Sequence, residues 1–217
     1  MSTQQPHTKL LISAAREWLR PLGLVQKGRS RIWFDDQGWW LGLVEFQPSG
    51  FSKGSYLNVA VQWLWEEVER MGVYHVPGRL RGFTEFESEE QFEPEAQSMA
   101  RDAANQIRIY RSLFASFDEC ADYFRRKGRP AHEELWHGGV ALALAGSPDE
   151  AERWFDAYLC SNDDRDWAIE RRKRVRKLKS LLGDETAFHD AIEGTIRGTR
   201  LRLQLDPERP IGLGSRD

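Results

Sequence analysis

Two histidines in HEELWH, His132 and His137, are the nearest this sequence comes to a metal-ligand motif. A helical zinc site of the zincin kind needs its histidines four apart, so that both imidazoles leave one face. A spacing of five sets them roughly 140° apart around the axis, so no metal is expected there. The chain also has no phosphate loop, no dinucleotide glycine fingerprint and no nucleophile elbow, and it implies no cofactor. Carboxylates crowd one stretch, with Glu85, Glu87, Glu89, Glu90, Glu93 and Glu95 in EFESEEQFEPE. Paired carboxylates can trade protons, but a charge run of this kind reads first as a solvated acidic loop over residues 86–95. No catalytic set of residues emerges, and an unrecognised hydrolase ranks third among the function classes considered.

The sharpest electrostatic feature is ERRKRVRKLKS, in which Arg171, Arg172, Lys173, Arg174, Arg176 and Lys177 could line phosphates and release counterions. NDDRDW stands just upstream. Acid at the start and base at the end of one helix is what the helix macrodipole favours, with Trp167, Val175, Leu178 and Leu182 anchoring one side. Nucleic-acid binding through this helix is therefore the alternative to be weighed, with a solvated helix as the simpler account.

The elements that must position any site begin with an amphipathic helix. From Thr8 to Arg20 the residues Leu11, Ala14, Ala15, Trp18 and Leu19 recur at helical spacing, and Pro21 with Gly23 stops the pattern. After the basic turn QKGRSR come RIWF, WWLGLVEFQ and SYLNVAVQWLW, parted by turn chemistry in DDQG and PSGFSKG. These are successive antiparallel strands, and a further short strand near LRGFTEF continues the sheet. Side chains alternate along a strand, which sets Trp40, Val44 and Phe46 with Leu57, Val59, Val61 and Trp63 on a purely apolar face. The other face is mixed, carrying Glu45, Gln47, Asn58 and Gln62 beside Leu41, Leu43 and Leu64. Most of the tryptophans are expected to be core. Met99, Ala103, Ile107, Tyr110, Phe114 and Phe117 then mark a long helix packing on the sheet. Helices follow through SFDECADYF, where Asp118 is a candidate cap, and through ELWHGGVALALAG. In SPDE, Ser147, Pro148 and Glu150 spell a capping box for the second arm of a helical hairpin. Two more helices are expected near 164–182 and 185–203.

The order LRPLGLVQKGRSRIWF, then Phe46-Gln47, then YLNVAVQ resembles a bacterial family, domain of unknown function 4304, over roughly the first 125 residues. Lys27, Gly28, Phe46, Gln47, Ser49 and Asn58 carry the resemblance, while Pro48 and Ala60 depart from it. What it implies is an α+β sheet-and-helix domain, with no catalytic activity or cofactor attached.

At 217 residues the chain suffices for one generous domain or a compact domain with an annex. Its 40% hydrophobic and 30% charged content with net charge -3 suits a globular protein whose bulk charge draws no particular partner. Two cysteines, Cys120 and Cys160, without disulfide-framework or zinc spacing fit a reducing compartment, hence the cytoplasm. The N-terminus lacks signal-peptide character and no apolar run reaches membrane-spanning length, so no membrane partner is expected. The fold expected is α+β: an N-terminal helix, an antiparallel sheet of about four strands packed by a long helix, then a helical C-terminal part. The division falls as a sheet-and-helix domain at 1–128 and a helical part at 129–217, packed as one compact unit. The function expected is that of a non-enzymatic binding or protein-interaction protein, in an accessory or immunity-like role, with another protein as the expected partner. Gln47, Asn58 and Gln62 on the mixed face, with Phe51 and Lys53 on the hairpin loop, form the expected partner site, because polar groups on that face must meet solvent, a cover or a ligand.

Overall fold

The computed structural model describes residues 5–72, 78–160 and 163–212. The class is α+β, with seven α-helices and one five-stranded antiparallel sheet among the described residues. Contacts divide the chain into two compact units, Met1–Tyr110 with Thr199–Gly212, and Arg111–Gly198, in so far as these are described.

The first unit opens with α1 (Pro6–Leu19), whose Leu11, Ala14, Ala15 and Leu19 are buried. Pro6 starts it because its missing N–H would be unpaired in a first turn anyway. Gly23 ends the following 3-10 turn at φ 86, where its N–H reaches the Arg20 carbonyl at 2.8 Å. The sheet is a simple meander of β1 (Val25–Gln26), β2 (Ile32–Asp36), β3 (Trp40–Pro48), β4 (Gly54–Trp63) and β5 (Arg79–Glu85). Sequence periodicity implied about four strands. The fifth is β1, a two-residue pairing of Val25 and Gln26 with Phe34 and Trp33, too short to show any alternation.

The register places Val44 opposite Val59 and Phe46 opposite Leu57, so the apolar face forms as the alternation implies. Helix α2 (Glu89–Leu113) lies against that face. The Tyr110 hydroxyl donates to the Val59 carbonyl at 3.3 Å, and a Cβ on Gly42 would stand 2.8 Å from Ile107 Cδ1. Trp33, Trp39, Trp40, Trp63 and Trp65 are at most 5% exposed. Trp39, Trp63 and Trp65 stack on one another, with centroids 4.9 to 5.7 Å apart. These indoles are core, each contributing about 2 to 3 kcal/mol by burial.

The acidic stretch is not the loop expected over residues 86–95. It begins α2, which starts at Glu89 and carries Pro94 inside it. Ser88 caps the turn, its Oγ accepting from the Gln91 N–H at 3.2 Å, and acidic residues at a helix start complement the macrodipole.

The C-terminal segment of this unit is fastened to the β2–β3 turn. Arg200, on the last turn of α7 (Glu185–Arg202), is 0% exposed and grips both oxygens of Asp36 at 2.8 Å. Gly38 in that turn has φ 86, and a Cβ there would meet the Pro210 carbonyl oxygen at 2.3 Å. Only glycine suits both demands.

The second unit contains α3 (Phe117–Arg125), α4 (His132–Leu144), α5 (Pro148–Leu159), α6 (Asp166–Ser180) and α7 to Gly198. Ser116, not Asp118, caps α3, accepting from the Glu119 N–H at 3.2 Å. Helices α4 and α5 form a hairpin closed at Gly146, where φ is 74. Ser147 is the N-cap of α5, but its side chain makes no cap bond. Arg125 takes both parts of the expected box instead, donating to Ser147 Oγ at 3.0 Å and to Glu150 at 2.9 Å. A charged hydrogen bond outweighs a neutral cap bond, which accounts for the substitution.

Candidate functional site

A cleft of about 490 Å³ opens on the mixed face of the sheet in the first unit. Leu43, buried on β3, and Ile32 on β2 are apolar lining residues, with Met71 beyond the end of β4. Polar lining comes from three neighbouring strands. Asn58 on β4 faces Glu45 on β3 and Arg79 on β5 across the ladder, so one rung presents a carboxylate, an amide and a guanidinium. Gln47, two residues along from Glu45, returns to the same face.

These four side chains are joined into a row. Asn58 Nδ2 donates to Glu45 Oε2 at 2.9 Å and to Gln47 Oε1 at 3.0 Å. Gln47 Oε1 also accepts from an Arg79 Nη at 3.0 Å. The Arg79 guanidinium lies 3.9 Å over the Tyr56 ring, a cation–π contact that holds its plane. Asn58 is 6% exposed while Arg79 is open to solvent, so the row runs from the sheet interior to the surface. Charge is split along it, negative at Glu45 and positive at Arg79.

Of the partner residues expected from sequence, Gln47 and Asn58 come together here. Gln62 is fully buried and holds the chain beyond β4, donating to the Arg70 carbonyl and accepting from the Gly72 N–H, each at 3.2 Å. Phe51 and Lys53 stand exposed at the β3–β4 tip, Phe51 at 102% of its reference surface, and neither lines the cleft. Sequence alone did not single out Glu45, Arg79, Met71 or Ile32. Glu45 was legible as a mixed-face residue. Arg79 was not, because its place depends on how β5 registers against β4, which is interrupted by a bulge at Leu57.

In the second unit the HEELWH segment is engaged in structural contacts. The His132 ring stacks on Tyr158 at 4.3 Å, and His137 is 2% exposed. Glu133 pairs with Arg171, and Glu134 accepts from the Ala131 N–H at 2.8 Å, closing the first turn of α4. Among the described residues no group of three or more His, Cys, Asp or Glu side chains is placed to hold a metal ion. Cys120 is buried, and burial pushes its thiol well above the usual range, which leaves it poorly nucleophilic. Along α6, Val175 and Leu178 are buried as expected, but Trp167 is 45% exposed and sits under Arg165 and Arg171. The basic run is partly paired: Lys173 with Glu170 at 2.7 Å and Arg171 with Glu133, while Lys179 meets Asp156. Arg174, Arg176 and Lys177 are exposed. Among the described residues no helix is long and apolar enough to cross a membrane.

Comparison with family models, with curated proteins and with solved structures finds no match to this chain.

Proposed function

We propose that this chain is a non-catalytic binding protein whose site is the cleft over Leu43. The observation that carries this is the polar row itself. Asn58, 6% exposed, spends its amide on two acceptors, so that Glu45, Gln47 and Arg79 are held in fixed positions beside apolar lining. Such prior ordering lowers the entropy cost of binding. The cleft lining, among the described residues, offers one carboxylate, two amides and one guanidinium, with no serine, cysteine or histidine. That set suits recognition better than bond cleavage. Phe51 and Lys53, on the tip of the same hairpin, remain the candidate contacts for a protein partner.

The expected result is that compounds from a chemically mixed library, screened by methyl NMR, perturb Ile32, Leu43 and Met71 as a group. An Asn58→Leu variant, checked for folding by circular dichroism, loses those perturbations. Hits that gather instead around Phe188 and Leu182, which line a smaller cavity in the second unit, would move the site there.

Nucleic-acid binding is the second reading, favoured by the exposed Arg174, Arg176 and Lys177 and by the 45% exposed Trp167 on the same helix. The ion pairs of Arg171, Lys173 and Lys179 and the net charge of -3 weigh against it. Reversing Arg172, Lys173 and Lys177 to Glu is expected to leave the melting temperature within a few degrees of the wild type. Wild-type binding to duplex and single strands at physiological salt is expected to be weak. Sub-micromolar affinity with a steep salt slope, lost in the variant, would promote this reading over the cleft.

A further inference from the structure

We infer that the cleft takes a small zwitterion, specifically a free α-amino acid with an apolar side chain. The inference rests on the cleft being the binding site and adds the chemistry of its ligand. Glu45 and Arg79 do not neutralise each other directly. Among the described residues the carboxylate's partner is Asn58, and the guanidinium's partners are Gln47 and the Tyr56 ring. One Glu45 oxygen and the remaining guanidinium N–H groups are therefore left to meet a ligand, at opposite ends of one row.

The hydrogen-bonded path bounds the ligand. Three bonds of 2.9, 3.0 and 3.0 Å connect the two charges, so the bonded atoms stand no more than about 9 Å apart. An ammonium and a carboxylate on one carbon, each with a charge-assisted bond of about 2.8 Å to the protein, reach across at most a similar length, so both charges of such a zwitterion can be met within that limit. The ammonium faces Glu45 and the carboxylate faces Arg79, which can present two parallel N–H groups to it. The substituent on the same carbon is then directed onto Ile32, Leu43 and Met71. Of these Met71 is unbranched and adapts to side chains of differing shape, which favours a class of apolar amino acids over one member.

Calorimetric titration with L-leucine tests this, using three controls that each remove one feature: isocaproate lacks the ammonium, isoamylamine lacks the carboxylate, and leucinamide has the carboxylate's charge removed. Leucine is expected to bind and to shift the Ile32, Leu43 and Met71 methyl signals. Each control is expected to bind more weakly by about tenfold or more, as is leucine to Glu45→Gln and to Arg79→Met. Glu45→Gln keeps an acceptor for Asn58, so its fold should be undisturbed, and the ligand controls need no variant at all. Leucinamide binding as well as leucine overturns the zwitterion in favour of a peptide N-terminus. Isocaproate or isoamylamine doing so overturns it as well. If leucine fails while other compounds perturb the same three methyls, the ligand class is wrong and the site stands. If nothing perturbs them, both fall.

Discussion

Replacing Arg200 with methionine is expected to cost the first unit about 3 to 5 kcal/mol, because it breaks a buried ion pair by removing one partner. The side chain is 0% exposed, and all five of its N–H groups are used. Nη1 donates to Asp36 Oδ1 and to the Gly38 carbonyl, both at 2.8 Å, and Nη2 donates to Asp36 Oδ2 at 2.8 Å and to the Asp206 carbonyl at 2.6 Å. Nε reaches the same Asp206 carbonyl at 3.0 Å. Methionine would fill much of the volume but leave two backbone carbonyls and a carboxylate without their donors. Lysine keeps the charge, yet its three donors cannot reproduce a planar fork, so Arg200→Lys is expected to lose nearly as much. In a double variant with Asp36→Asn, the second change should add little, because the carboxylate's cost has already been incurred. Urea unfolding followed by tryptophan fluorescence reads the first unit once Trp136, Trp154 and Trp167 of the second are replaced by phenylalanine in both proteins compared, since the stacked Trp39, Trp63 and Trp65 belong to the first. A loss below about 1 kcal/mol would mean that the grip on Asp36 is open to water in solution.

Such a lock shows why parts of this fold were legible in the sequence and parts were not. The strands announced themselves through alternation, because β3 and β4 each present one unbroken apolar set and a one-residue slip would expose all of it. The same alternation placed Glu45, Gln47 and Asn58 together before any contact was known. What it could not supply was the third strand of the cleft. Arg79 joins the row through a bulged pairing whose register no periodicity encodes. Nor could it pair Arg200 with Asp36, which lie 164 residues apart. The acidic stretch conceals its helix for a different reason. SEEQ, with serine followed three residues later by glutamine, is a helix start, and Gln91 indeed returns its side chain to the Glu87 N–H at 3.2 Å. The density of charge and the Pro94 beyond it obscured that signal. Ser147 erred the opposite way: the capping pattern was present, but Arg125 arrived from another helix and took its oxygen.

Two glycine substitutions on helices of the second unit are expected to act in opposite directions, and the contrast isolates packing from backbone preference. Gly139→Ala on α4 gains up to about 1 kcal/mol of helix propensity, as any such exchange in a helix interior does. Against that, the new Cβ would stand 2.4 Å from Phe155 Cε1 and 2.5 Å from its Cδ1. Phe155 is 0% exposed on α5, so its ring has nowhere to retreat and the helices must part. Overpacking of this kind costs about 1 to 3 kcal/mol, with more expected when the neighbouring Gly138, whose Cβ would strike Trp154 at 2.3 Å, is changed as well. The pair Gly138→Ala/Gly139→Ala is therefore expected to lower the melting temperature by several degrees despite two gains in propensity. Gly194→Ala on α7 provides the control, since no atom lies within 4 Å of its Cβ position. There propensity acts alone, and stability is expected to rise by about 0.5 to 1 kcal/mol. Thermal melts of the three proteins against the wild type decide the matter. If the glycine pair tolerates alanine as well as Gly194 does, α4 and α5 are not in close contact at these residues, and the hairpin owes its stability to Arg125 and its ion pairs instead.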